Sequence, residues 1–282
     1  MQEPERQARL ESELRQAGLR YALHDNGQQA GFRYAQGHGP TLALAASIRH
    51  GALSLACNRL ACAAAQPGLV AALNQDWWFG RAWHLEDGQV GLATGYPAFL
   101  PPSGPGLLRT YLAGLYAAAA ALSVPDTDAA TLADTVAAMR ELLPAQDMAT
   151  EIVAIAAALR GIGERFQEGD GLTLWRYGSV GNNVGCRIEI GAGDSHAVRV
   201  DMTTRIDAMP GAGRIDWLNR MAPIGAFIAD GAAGVVRHRW AYSPAMTPAG
   251  PRLMAWLLEV AGQMALLAHG ESLRPSGGAG AG

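Results

Sequence analysis

The sequence predicts an α+β chain built from two tandem copies of one small antiparallel fold. Three observations carry this reading. Runs of alternating apolar residues mark strands, apolar residues spaced three and four apart mark helices, and the pattern recurs at an offset of 145 residues. At that offset Leu73-Asn74 matches Leu218-Asn219, Phe79-Gly80 aligns with Ile224-Gly225, and Leu108, Leu112 and Leu115 align with Leu253, Leu257 and Val260. A chain of 282 residues also exceeds the roughly 100 to 150 residues of a usual domain. The predicted division is residues 1–124 for the first copy, 125–148 for a helical linker, 149–270 for the second copy and 271–282 for a flexible tail.

In the first copy, Leu10 and Leu14 among the charges of residues 5–17 predict a helix that Gly18 stops. Alternation predicts strands at Leu19 to Leu23, Leu42 to Ile48 and Leu53 to Cys57. Gln66-Pro67 begins a short helix through Asn74, and Arg81 to Leu85, the Asp87-Gly88 turn and Val90 to Thr94 read as a hairpin. Ser103 is placed to cap a helix that buries Leu108, Tyr111, Leu112, Leu115, Ala119 and Leu122 on one face. The second copy opens with Ile152, Ile155, Leu159, Ile162 and Phe166 on one helical stripe. Strands follow at Leu172 to Tyr177, Val184 to Ile190 and Ala197 to Met202, the last two joined through Gly191 to Ser195. A short helix around Ile215 to Arg220, a hairpin turning at Asp230-Gly231 and a helix capped by Thr247-Pro248 complete it. Each copy thus reads αβββαββα, with antiparallel sheets and helices packed on one face. The linker reads as an Ala-rich helix ending near Pro144.

Leu73-Asn74, the Phe79-Gly80-Arg81-Ala82 entry into the hairpin at Asp87-Gly88, and the long final helix resemble the YbjN-like branch of the type III secretion chaperone fold. The resemblance covers both copies, and is strongest over residues 66–122 and weaker over 213–268. It implies that the two copies pack as a pseudo-dimer within a monomeric chain. It also implies binding of an extended segment of a client protein, along apolar surfaces and sheet edges and without a nucleotide.

Composition narrows the function classes. Hydrophobic residues at 49% and charged residues at 17% exclude a disordered chain. A net charge of −3 supplies no broad basic surface, so neither nucleic acid nor an anionic membrane is an expected partner. The N-terminus shows no apolar leader, and Ala113 to Val124 falls short of the ~20 residues of a membrane span. A cytoplasmic location is expected. Cys57 and Cys62 fit no common metal or redox spacing and read as buried thiols. Histidines 24, 38, 50, 84, 196, 238 and 269 show no ligand spacing, so neither metal nor cofactor is expected.

No catalytic signature stands in the chain, and the expectation is a protein that is not an enzyme. Asp194-Ser195-His196 has triad residue types, but adjacent residues in a turn point apart. An enzyme alternative would draw on Asp194, His196, Glu189 or His38. Gly181-Asn182-Asn183 reads as a tight turn, and Arg237-His238-Arg239 as a solvated strand face that also suits an acidic client. The aromatic residues are the sharper candidates. Trp77-Trp78-Phe79 cannot all face one core, and Trp217 occupies the corresponding helix of the second copy. With Trp83, Trp240 and Tyr242 on hairpin strands, they form the candidate set for client binding or the contact between copies. The expected function is a chaperone or adaptor holding an extended segment of a client, such as a secreted effector. An immunity or antitoxin-like protein that covers a folded toxin domain is the alternative within the binding class.

Overall fold

The structure is a computed structural model that describes residues 3–37, 39–60, 67–99, 106–124, 127–177, 184–206 and 210–270. The N-terminal half runs α1 (Glu3–Gln16), β1 (Tyr21–His24), a single 3-10 turn (Asp25–Gly27), β2 (Gln29–Tyr34), β3 (Leu42–Arg49), β4 (Ala52–Leu60), α2 (Pro67–Asp76), β5 (Gly80–His84), β6 (Val90–Pro97) and α3 (Gly106–Leu122). After α4 (Ala129–Glu141), the C-terminal half runs α5 (Met148–Gly161), β7 (Gln167–Glu168), β8 (Leu172–Tyr177), β9 (Gly185–Ala192), β10 (Val198–Arg205), α6 (Ala212–Met221), β11 (Ala226–Asp230), β12 (Val235–Tyr242) and α7 (Pro251–Ala268). The chain is α+β, with seven α-helices and two antiparallel six-stranded sheets among the described residues.

The strand orders are β1-β2-β3-β4-β6-β5 and β7-β8-β9-β10-β12-β11. Counted from its own first strand, each sheet therefore has the same order. Each half has four strands before its short helix, where the periodicity predicts three. In the N-terminal half the missed strand is β2, Gln-Ala-Gly-Phe-Arg-Tyr. Its inward positions are Ala30 and Phe32, too sparse an apolar set to stand out from the polar residues between them. In the C-terminal half the extra strand is β7, only two exposed residues long. The expected Thr247 cap is also corrected. Thr247 is buried, and α7 begins at Pro251 behind Gly250, where the missing amide hydrogen and fixed φ of proline suit a first helical position. Ser103, His38, Cys62, Gly181 to Asn183 and the tail lie outside the described residues.

Two cores follow from the two sheets. Leu10 and Leu14 of α1 and Leu108, Leu112 and Leu115 of α3 bury against Leu44, Leu55 and Leu92. Ile155 and Leu159 of α5 and Leu257 and Met264 of α7 bury against Ile188, Ile190 and Val200. Each fully buried leucine or isoleucine contributes roughly 2 kcal/mol relative to exposure. The linker helix joins the first of these cores. Asp128 caps α4 by accepting from the Thr131 amide at 2.8 Å, and Leu132 and Val136 are buried with the residues of α1 and α3.

The terminal strands β5 and β11 each have one hydrogen-bonded neighbour, and an asparagine seals the other edge of each. Asn74, on α2, accepts from the Ala82 amide at 2.7 Å and donates to the Ala82 carbonyl at 2.8 Å. Asn219, on α6, accepts from the Phe227 amide at 2.6 Å and donates to the Phe227 carbonyl at 3.2 Å. A primary amide presents the donor and acceptor that a neighbouring strand would supply, so buried edges close without further pairing. This explains why Leu-Asn is what recurs at the 145-residue offset. Removing one amide leaves two buried backbone groups unpaired, at about 1–3 kcal/mol each. Asn74→Leu and Asn219→Leu are each expected to lower the unfolding free energy by about 3 kcal/mol or more in urea titrations, while Asn58→Leu, on an exposed position of β4, leaves it within about 0.5 kcal/mol.

Candidate functional site

The short helices and terminal strands of the two halves meet, α2 against β11 and α6 against β5. Two arginines cross this junction in opposite directions. Arg81, on β5, is fully buried and donates to the Asn219 carbonyl at 2.8 Å, the Pro223 carbonyl at 3.4 Å and Ser54 Oγ at 3.3 Å. Arg239, on β12, donates to the Gln75 carbonyl at 2.9 Å while holding Asp201 at 2.7 Å. Asn219 and Gln75 sit in the last turns of α6 and α2. There the unpaired carbonyls and the helix dipole favour a cation. Burial pushes the Arg81 pKa down to about 9, so the side chain remains charged at neutral pH.

Beside Arg81, His238 is buried with its ring 4.9 Å from that of Phe227. Its Nε2 lies 2.8 Å from the Ile224 carbonyl, which can only accept, so Nε2 carries the hydrogen. Burial, followed by the nearby Arg81 charge, outweighs the Ile224 and Asp201 interactions and pulls its pKa down to about 4. The Arg237-His238-Arg239 stretch is thus not one basic face. His238 points into the second core, whereas Arg237 and Arg239 are paired with Asp230 and Asp201 on the opposite side.

The aromatic candidates separate. Trp77 is in the first core, while Trp240 and Tyr242 stack on each other in the second at 5.6 Å. Trp78 crosses the junction and packs on Ala197 and Ala241, and its carbonyl accepts from the Ala241 amide at 3.1 Å. Arg140 and Arg199 lie 4.4 and 5.7 Å from its ring centre. Phe79, half-buried, touches both Trp78 and the first core. Trp83 is buried on the side of β5 turned away from the first core, and Trp217 stays 38% exposed under Arg214, 4.1 Å from its ring.

Two hairpins lock the halves from opposite ends. The β3–β4 turn presents the His50 carbonyl to Trp256 Nε1 at 2.9 Å, with Phe99 stacked on the same indole at 5.4 Å. Trp256 was not among the sequence candidates, because its helical spacing reads as ordinary core. At the β9–β10 turn, the Ser195 carbonyl accepts from the Gln146 amide at 2.7 Å, and His196 Nδ1 reaches the Leu143 carbonyl at 2.7 Å. Asp194 Oδ1 accepts from the His196 and Ala197 amides at 2.8 and 3.1 Å. These residues thus shape and dock a turn, and Glu189 lies away from them, paired with Arg187 on the sheet face at 2.8 Å.

The outward faces of the sheets differ. On the second, Trp175, Arg187, Glu189 and Arg199 present aromatic and charged groups to solvent, with Asp201 buried between Arg199 and Arg239. On the first, Ala22, Gly31, Ala45, Ala56 and Ala93 form one row across five strands. On the same face of β6, Gly95 lets the C-terminal half approach closely. A Cβ on Gly95 would lie 3.1 Å from the Pro223 carbonyl oxygen. Cys57 and Cys186 are buried, and burial pushes the Cys186 thiol up to about 11. Among the described residues no helix is long and apolar enough to cross a membrane, and no group of three or more His, Cys, Asp or Glu could hold a metal ion.

The chain matches no family model, no curated protein and no solved structure.

His238 ties the junction to pH. Its folded pKa of about 4 lies below the ordinary 6.5, so between these values the unfolded chain binds more protons. Its contribution is whole above pH 6.5 and is lost as pH falls toward 4, at roughly 3 kcal/mol in all. In urea titrations across this range, His238→Leu is expected to be less stable than the native chain at neutral pH and to lose less stability on acidification.

Proposed function

We propose that this chain is a non-enzymatic cytoplasmic chaperone or adaptor that holds an extended segment of a client protein. Its two halves form an internal pseudo-dimer of YbjN-like, secretion-chaperone-like copies. The observation that carries this reading is the outer edge of the first sheet. Strand β1 pairs only with β2, and Ala22, Leu23 and His24 are exposed. Unlike β5 and β11, this edge has no asparagine closing its backbone groups in the described structure. An extended peptide gains main-chain hydrogen bonds at such an edge, beside which the His24 imidazole lies over Gly31. The equal strand orders of the two sheets and the reciprocal arginine contacts support the pseudo-dimer.

A second reading, an immunity or antitoxin-like protein, is favoured by the outward face of the second sheet. There Trp175 is 48% exposed among paired charges, a surface suited to a folded partner. Affinity capture from the native cytoplasm, mass spectrometry and truncation of the captured protein separate the two readings. The expected result is a client whose short unfolded segment suffices, bound at least tenfold more weakly by Leu23→Lys, with the circular dichroism unchanged. A client bound only as an intact folded domain, and insensitive to Leu23→Lys, would establish the second reading instead.

A further inference from the structure

A groove of about 860 Å³ opens beside the junction, between the β5–β6 hairpin and α6, within the roughly 300–1,000 Å³ range of ligand sites. Two polar atoms on its wall are buried and have no hydrogen-bond partner among the described residues, Trp83 Nε1 and His84 Nε2. The Trp83 side chain is 3% exposed and lies flat over Gly91, where a Cβ would come within 2.1 Å of the indole. It is therefore a built position. His84 is fixed through its amide, which donates to Asp216 Oδ1 at 3.0 Å and so ties β5 to α6. On the facing wall Trp217 is partly exposed, and Arg220 has neither ion pair nor hydrogen bond among the described residues.

An indole nitrogen and a guanidinium can only donate. Of the carboxylates that line the groove, Asp216 accepts from the His84 amide, Asp87 is paired with Arg59 at 3.7 Å, and Glu86 stands exposed at the hairpin turn on the rim. The groove donors left without an acceptor among the described residues are Trp83 Nε1 and the Arg220 guanidinium. A buried donor left unsatisfied costs about 1–3 kcal/mol, which a ligand carbonyl placed there would recover.

We propose that this groove binds an extended peptide segment bearing a carboxylate. A main-chain carbonyl of the segment accepts from Trp83 Nε1, its carboxylate meets Arg220, and an apolar side chain rests on Trp217. The proposal builds on the reading of the chain as a holder of extended segments, and adds a second contact some distance from β1 that selects for acidic sequence.

The test follows the indole Nε1–H signals of the seven tryptophans in the full-length, nitrogen-15-labelled chain, with Trp83 assigned by Trp83→Phe. The probes are a short peptide alternating valine and glutamate and a counterpart alternating valine and lysine. The glutamate peptide is expected to move the Trp83 signal downfield, with binding weakened about tenfold by Arg220→Gln and by Trp83→Phe. The amide signals of Tyr21 to His24 report strand addition in the same titration. Movement of those amides with a static Trp83 signal would overturn the groove and leave the chaperone reading standing. No response of Trp83 at millimolar glutamate peptide, or an equal response to the lysine peptide, likewise overturns the groove. A Trp83 response with static β1 amides would support the groove and count against strand addition.

Discussion

The arrangement of the molecule depends on how two buried strand edges are closed. Had β5 and β11 been left open, the cheapest way to satisfy their backbone groups would have been to pair with each other, or with another chain, as one continuous sheet. Asn74 and Asn219 remove that option by filling the edges with side-chain amides. With both edges closed, the halves approach helix to strand, α2 against β11 and α6 against β5, without β5 and β11 pairing. That orientation brings the C-terminal turns of α2 and α6 within reach of Arg239 and Arg81. The buried arginine charge is tolerable because carbonyls at a helix end meet it in place of a carboxylate.

The fold class and the order of most elements were legible in the sequence, because a buried strand face and a helix stripe impose periods of two and about 3.6 on apolar residues. Leu-Asn at positions 73–74 and 218–219 was legible as a recurrence but not as a mechanism, since nothing in the spacing tells what an asparagine amide grips. The missed strand β2 shows the limit of periodicity. Its outward residues, Gln29, Gly31 and Arg33, and its modest inward ones carry too little contrast. The three adjacent rings at 77–79 were legible as a set that must divide between surroundings. Their division among core, junction and a shared position depends on turns whose direction the sequence does not encode. Trp83 was legible as an aromatic candidate and Arg81 as part of the hairpin entry, but what sets them apart lies in what is missing or unusual around them: an acceptor for one, a carboxylate for the other.

The two halves have the same strand order but differ in surface. The first sheet has an outward row of alanine and glycine, and the second an outward lattice of ion pairs. Exposed ion pairs contribute little to stability, commonly below about 1 kcal/mol each. The spread of Arg187–Glu189 and Arg199–Asp201 across the second sheet therefore says more about what approaches that face than about folding.

The linker helix has a consequence for how firmly the junction must hold. Because α4 buries Leu132 and Val136 with the first core and leads directly into α5, the C-terminal half is tethered by a short, anchored segment. A tether of this kind keeps its partner at an effective concentration in the millimolar range or above, so closure is an intramolecular event with little further free energy required. An interface formed by two separate chains would have to exclude every unsatisfied donor to reach comparable occupancy at cellular dilution. Here the covalent connection carries that burden, and the contact is left free to retain an uncommitted hydrogen such as that on Trp83 Nε1.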